Sequence, residues 1–173
     1  MNKETVHFII TGGTIDSYYE GTQDTVVPNA QSSIPLYIHS LKLYTPSIFT
    51  VVCMKDSREI TKKDQKKILT TIQGSSSSHI IITHGTYTMP DTARYLKANL
   101  REQDKKIILT GSMIPLAGFT MSDGPFNIGF SMAMFSQLEN GVYVCMNGRV
   151  FESNEVMKVI KEGRFSSIFG EKK

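Results

Sequence analysis

The sequence predicts an α/β fold: an open, doubly wound, mainly parallel sheet with helices on both faces, a Rossmann-like or flavodoxin-like three-layer sandwich. Two observations carry this expectation. Five apolar runs, at residues 6–11, 49–54, 79–83, 106–110 and 142–146, are rich in isoleucine and valine and lack in–out alternation, as strands covered on both faces do. Helix-length segments separate them, which is the pattern of crossovers between parallel strands. At 173 residues and 40% hydrophobic content the chain is long enough for one well-buried core and short for two. One domain over residues 1–173 is therefore expected.

The elements follow in order. The first run stops at Thr11, and Gly12-Gly13-Thr14-Ile15-Asp16 follows it as a tight βα turn. In TKKDQKKILTTI, Thr61 is placed to cap a helix with Asp64 three residues on, and Ile68, Leu69 and Ile72 form its inward stripe. Gly74 to Ser78 is a surface linker into the third run. MPDTARYLKANL has proline in its first turn and Ala93, Leu96 and Leu100 at helical spacing. SDGPFNIGFSMAMFSQL is apolar nearly all round, with Ser122 or Asp123 as its cap, so a largely buried helix is expected there. Its Met132 and Met134 read as core filling.

The formal charge of +3 comes from scattered lysines. Lys62, Lys63, Lys66 and Lys67 read as a solvated helix face, and Lys172 and Lys173 close the chain. No aromatic residues interleave with them, which argues against nucleic acid as a partner. Cys53 and Cys145 both lie inside apolar runs, where a reduced cysteine acts as a small hydrophobe. That favours a reducing compartment. The N-terminus lacks the apolar core and cleavage site of a signal peptide, and no run reaches membrane-spanning length. A cytoplasmic protein without membrane contact is expected.

In doubly wound sheets ligands bind beyond the carboxyl ends of the strands. The residues that follow the five runs are Gly12-Gly13-Thr14, Lys55-Asp56-Ser57-Arg58-Glu59, His84-Gly85-Thr86-Tyr87-Thr88, Gly111-Ser112 and Asn147-Gly148. Such loops are rich in small polar residues in any case, because those residues make turns and caps. Two of these loops, however, carry Gly-Thr before a helix, which pairs hydroxyls with backbone amides. That combination suits an anion or the oxyanion of an acyl-transfer intermediate. TGGT lacks the lysine of a phosphate-binding loop, and no G-x-G-x-x-G follows the first run. His7, His39, His79 and His84 are dispersed without ligand spacing. Neither a metal nor any other cofactor is implied.

TGGTI near the N-terminus, THGTYTMPDTARYL at residues 83–96 and LTGSMIP…SDGPFNI at residues 109–128 together resemble the bacterial-type L-asparaginase family. The resemblance covers essentially the whole chain and matches the family's N-terminal domain. Family members are usually longer, and a C-terminal domain completes a neighbour's site. This chain resembles the short, single-domain branch without a C-terminal domain. The resemblance implies that Thr14 is the nucleophile that attacks a side-chain amide, that Thr86 is the second threonine, and that Lys158 pairs with Thr86. It implies that Ser57 holds the substrate's α-carboxylate, with Gly13, Asp56 and Gly85 beside it. Tyr18 and Tyr19, in a mobile loop behind Thr14, are both candidates for activating its hydroxyl, with Tyr19 the better match.

Two positions depart from the family pattern. Tyr87 stands where the family has an aspartate that contacts the substrate's ammonium, and Arg58 stands where it often has glutamine. Threonine needs a base or a polarising neighbour, which Tyr19, or Lys158 acting on Thr86, could supply. Loss of a nearby carboxylate lowers a lysine's pKa, unless Glu152 or Glu155 pairs with Lys158. The reading is an amidohydrolase converting L-asparagine to aspartate and ammonia. Its alternatives are a hydrolase for another carboxylate-bearing amide or ester, with Asp16, Asp56 or Glu59 as a possible replacement acid, or a non-catalytic small-ligand module. A homodimer or higher homo-oligomer is expected, because any partner contribution would come from a second copy.

Overall fold

Alternate residues of single strands feed two separate cores. Ile9, Ile80, Ile82, Ile107, Leu109, Val142 and Val144 belong to one buried cluster, whereas Phe8, Ile10, Ile81, Ile108 and Cys145 belong to the other. A strand's side chains alternate between the two faces of a sheet. Continuous apolar runs therefore require cover on both sides.

The computed structural model describes residues 5–101, 104–118 and 120–170, so Lys172 and Lys173 lie outside the described residues. In chain order the elements are β1 (Val6–Gly12), β2 (Ser17–Glu20), β3 (Thr25–Pro28), α1 (Ile34–Ser40), β4 (Ser47–Lys55), α2 (Lys62–Gln73), β5 (His79–Thr83), α3 (Met89–Asn99), β6 (Lys106–Thr110), α4 (Gly124–Met134), β7 (Gly141–Met146), β8 (Arg149–Glu152), β9 (Val156–Val159) and β10 (Arg164–Ser167). The central sheet has six strands in the order β4-β1-β5-β6-β7-β8. All neighbours are parallel except β7 and β8. Helices α2 and α3 cover the first cluster through Ile68, Ile72, Ala93 and Leu96. Helices α1 and α4 cover the second through Ile34, Ile38 and Ile128. The sheet is thus mainly parallel and doubly wound, with helices on both faces.

The strand order locates the ligand crevice. From β1 the chain moves to β4 on one side, and β5 then pairs on the other side of β1. In open α/β sheets the crevice opens at this reversal, outside the carboxyl ends. Here the two loops that flank it are Gly13–Thr14 and Gly85–Thr86.

Two expectations are corrected. Helix α4 is not largely buried: Gly124, Asn127, Ile128 and Ser131 face inward while Phe126 is 58% exposed. The reason is the Asn127 amide, which donates to the Gly111 carbonyl and to Asp123 and so draws a polar face inward. The segment carrying Tyr18 and Tyr19 is an antiparallel hairpin of β2 and β3, where a loop was expected. The cap expected at Ser122 or Asp123 is found: Asp123 stands at the N-cap of α4, and its carboxylate accepts from the Met113 and Ile114 amides. It is Ser122 that accepts from the Gly124 amide.

At the start of α2 the capping box of Thr61 and Asp64 is complete. Asp64 also pairs with Lys55 at the end of β4, at 2.7 Å. Burial raises the Asp64 pKa, and the bonds from Lys55 and Thr61 outweigh it, holding the carboxyl far below the usual range. A carboxyl depressed in the folded state contributes stability above its unfolded pKa and loses it as pH falls through the folded value. Thr61→Ala should lower unfolding stability by about 1 kcal/mol in urea titrations. Asp64→Asn should flatten the acid limb of stability measured below pH 4, because the ion pair and its titration go together.

Candidate active site

Backbone strands can approach one another closely only where no Cβ intervenes. Gly13 has φ 80°, and a Cβ on it would overlap Gly85 Cα and N. A Cβ on Gly85 would lie 2.6 Å from Ser57 Cβ and 2.8 Å from its Oγ. A Cβ on Gly12 would lie 2.5 Å from the Lys55 amide nitrogen. The loops after β1, β4 and β5 therefore form one contiguous floor. Thr14, Ser57 and Thr86 all come from it.

Each loop is fixed by specific bonds. The Gly13 amide donates to the Lys55 carbonyl at 2.8 Å, and Ser17 Oγ donates to the Gly13 carbonyl at 2.7 Å. Buried Asp16 accepts from Asn29 and from the Ser33 amide and hydroxyl, tying the turn to the start of α1. It is a scaffold for the turn and does not reach the site as a replacement acid. Thr88 Oγ1 donates to the Ser57 carbonyl at 2.6 Å. His84 is fully buried, which lowers its pKa, so its ring is neutral. Its Nδ1 donates to the Gly85 carbonyl at 2.8 Å, and Nε2 then accepts from Thr92 at 3.0 Å. Among the described residues, no protein group bonds the half-buried Thr14 hydroxyl.

Lys158 reaches this floor from β9. Its Nζ donates to Thr86 Oγ1 at 2.6 Å. The β9–β10 hairpin holds it there: Val156 and Phe165 are buried in the first core, Arg94 donates to the Val156 carbonyl, and Asn147 accepts from the Phe165 amide. Burial lowers the Lys158 pKa and the nearby Arg58 charge lowers it further, against a raising effect of Asp56. Glu155 does not pair with Lys158; its carboxylate accepts from Ser167 and from the Glu152 amide.

Arg58 donates to both oxygens of Asp56, at 2.9 and 3.3 Å, and lies 5.9 Å from the Tyr87 ring centroid. A cavity of ≈ 240 Å³ next to Lys158 is lined by Tyr87, Pro90, Asp91, Arg94, Met157 and Ile160. Tyr19 is placed elsewhere: its hydroxyl donates to Asp24 at 2.6 Å within the exposed hairpin, and that bond raises its pKa. Tyr18 donates to Glu20 in the same hairpin, at 3.3 Å. Asn127 was not foreseen from the sequence, and Asp123 was foreseen only as a helix cap. Asp123 fastens the loop after β6, and Asn127 links Gly111 to the Asn147 amide. Their signal was the SDGPFN string itself, five polar or turn-forming residues around one phenylalanine at the head of an apolar segment. A larger cavity of ≈ 580 Å³ lies at the opposite edge of the sheet, by Val6, His79 and Lys106, away from every loop named above. Among the described residues no group of three His, Cys, Asp or Glu side chains could hold a metal ion, and no helix is long and apolar enough to cross a membrane.

A mainly parallel sheet whose first and third parallel strands deliver two Gly-Thr turns to one crevice defines a class of small-ligand α/β domains. Residues 5–167 match the family model for the N-terminal domain of asparaginase, and the chain belongs to that family. It is 29% identical over 172 residues to the glutaminase-asparaginase of Acinetobacter glutaminasificans, covering 91% of this chain and 50% of that one. It is 28% identical over 171 residues to L-asparaginase 1 of Escherichia coli K12, covering 94% of this chain and 50% of that one. The thermostable L-asparaginase from Thermococcus kodakarensis superposes with a TM-score of 0.82 at 25% identity, over 95% of this chain and 51% of that one. The chain thus spans about half the length of the relatives it matches.

The Gly13–Gly85 approach makes a strict demand on the backbone. Gly13→Ala adds a Cβ where Gly85 already lies, on a positive φ. It should cost about 3 kcal/mol and lower the thermal midpoint by roughly 6–12 °C in a calorimetric scan.

Proposed function

We propose that this chain is an asparaginase-type amidohydrolase that hydrolyses the side-chain amide of L-asparagine to aspartate and ammonia, with Thr14 as nucleophile. The observation that carries this reading is the pair of threonines at the crevice, one with an uncommitted hydroxyl and the other 2.6 Å from a lysine whose pKa is lowered. Thr14 Oγ attacks the amide carbon, and a tetrahedral oxyanion forms among the backbone amides of the loops. Once Lys158 has lost a proton, its contact with Thr86 reverses and Thr86 donates to Nζ. The Thr14 proton passes to Thr86 as Thr86 gives its own to the neutral Nζ, Lys158 returns a proton to the leaving nitrogen by the same route, the C–N bond breaks and ammonia departs. Water then attacks the threonine ester, and the acid is released.

Ser57, with Gly13 and Gly85 beside it, receives the substrate carboxylate, while Asp56, Arg58 and Tyr87 form the rim of that pocket. We assign Tyr19 at most a gating role in its hairpin, since its hydroxyl is committed to Asp24. A homo-oligomer is supported by the outward face of α4, which bears no charged residue and stacks Phe126 on Phe130 at 6.2 Å. A cytoplasmic setting is supported by two unpaired thiols, with burial raising Cys53 to about 11 and Cys145 to about 12. The Arg58–Asp56 pair beside Tyr87 favours a second reading, in which the amide belongs to a different carboxylate-bearing compound.

Ammonia release from L-asparagine by the purified protein tests the first reading, with D-asparagine and L-glutamine as controls. Thr14→Ala should reduce it at least 10³-fold, on the order seen when a nucleophile is removed. Thr14→Ala activity equal to wild type would overturn the assignment. The pH profile carries a second expectation. Arg58→Ala removes a charge that lowers the Lys158 pKa and frees Asp56, which raises it. The rising limb of the pH–rate profile should then move to higher pH.

A further inference from the structure

The charges around Thr86 do not balance. Of the carboxylates placed by Lys158, Asp56 is bound through two hydrogen bonds by Arg58, and Asp91, in the same cavity, pairs with Arg94 at 3.2 Å; Glu59 acts on the Arg58 guanidinium and not on Lys158. Lys158 is the remaining charge, and its 2.6 Å partner is a neutral hydroxyl. Arg94 and Lys158 both line the ≈ 240 Å³ cavity, and Asp91 is the acid among its lining residues. Tyr87, at the mouth of that cavity, carries the Arg58 guanidinium over its ring and is 54% exposed. It presents an aromatic face and a hydroxyl to an incoming ligand.

A ligand ammonium placed here would meet Lys158, whose charge no carboxylate among the described residues pairs with, and two carboxylates that already hold guanidiniums. Like charges at such range disfavour one another, and more so as the site closes to water. A ligand carboxylate meets the opposite field, with donors on Arg58, Lys158 and Tyr87. We propose that the site selects an amide whose other end is a carboxylate and which carries no α-ammonium: the monoamide of a short dicarboxylic acid. This rests on amide hydrolysis at Thr14 and narrows its substrate class. Four carbons match the separation that asparagine itself would require, so the reference compound is succinamate, which is asparagine without its amino group.

The test compares kcat/KM for succinamate and L-asparagine by ammonia release at pH 7, in wild type and in Tyr87→Asp. Tyr87 is largely exposed, so this variant does not disturb the core. Wild type should favour succinamate at least tenfold, and Tyr87→Asp, which supplies an acid for an ammonium, should shift the ratio at least tenfold toward asparagine. Equal or better turnover of asparagine by wild type would overturn the inference and leave amide hydrolysis standing. The inference also has a readout without turnover: succinate should raise the thermal midpoint of Thr14→Ala more than L-aspartate does at equal concentration. If neither amide releases ammonia but succinate is preferred, the hydrolase reading falls and the selectivity stands. If aspartate stabilises as well as succinate, the selectivity falls.

Discussion

The structure depends on one constraint, the absence of Cβ atoms where the carboxyl-edge loops cross. Gly13 rests on Gly85, Gly85 rests on Ser57, and Gly111 lies against the His84 carbonyl. Each contact joins a different strand's loop to its neighbour. Together they turn four separate turns at the strands' carboxyl ends into one surface. A hydroxyl on such a surface is placed by backbone, whose position the sheet sets, and not by a flexible side chain. The buried neutral His84 serves the same end, since its two ring nitrogens tie Gly85 to α3 through Thr92. Burial excludes the charged imidazolium, so this tie persists across ordinary pH.

The fold was legible where hydrophobicity is continuous. The runs at β1, β5 and β6 announce themselves because both faces of each strand are covered, and the crossovers between them have one favoured arrangement. The β2–β3 and β9–β10 hairpins were not legible. Their strands are four residues long, and SYYE and RFSS carry no apolar run. Helix α4 misled for a related reason. Composition says that an apolar segment should be buried, but it cannot say that Asn127 and Ser131 have partners inside while Phe126 does not. Hydrogen-bond satisfaction decided which face turned inward.

The candidate site divides along the same line. Thr14, Ser57 and Thr86 could be named from position alone, because each follows the end of a parallel strand. Lys158 could not. It lies seventy-two positions from its partner Thr86, on a hairpin that the pattern did not reveal, and only the resemblance pointed to it. Tyr19 was likewise named only from the resemblance, and its hydroxyl is bonded to Asp24. The local partner, absent from any motif, determines what the side chain touches.

Lys158 and Arg58 meet opposite demands in the proposed reaction, and the difference between their side chains separates them. A group that moves a proton must be able to lose one near neutral pH, and an anionic substrate beside it makes that harder by favouring the charged form. A guanidinium keeps its charge at any working pH and can hold an anion without titrating. Arg58, already anchored to Asp56 and laid over Tyr87, fits the holding role. Lys158 sits deeper, against a hydroxyl, where burial and the Arg58 charge both press its pKa down. The arginine thus attracts the anion and at the same time offsets that anion's effect on the lysine. Had Lys158 been paired with a carboxylate, its proton would have been held and the contact with Thr86 would have had no second state.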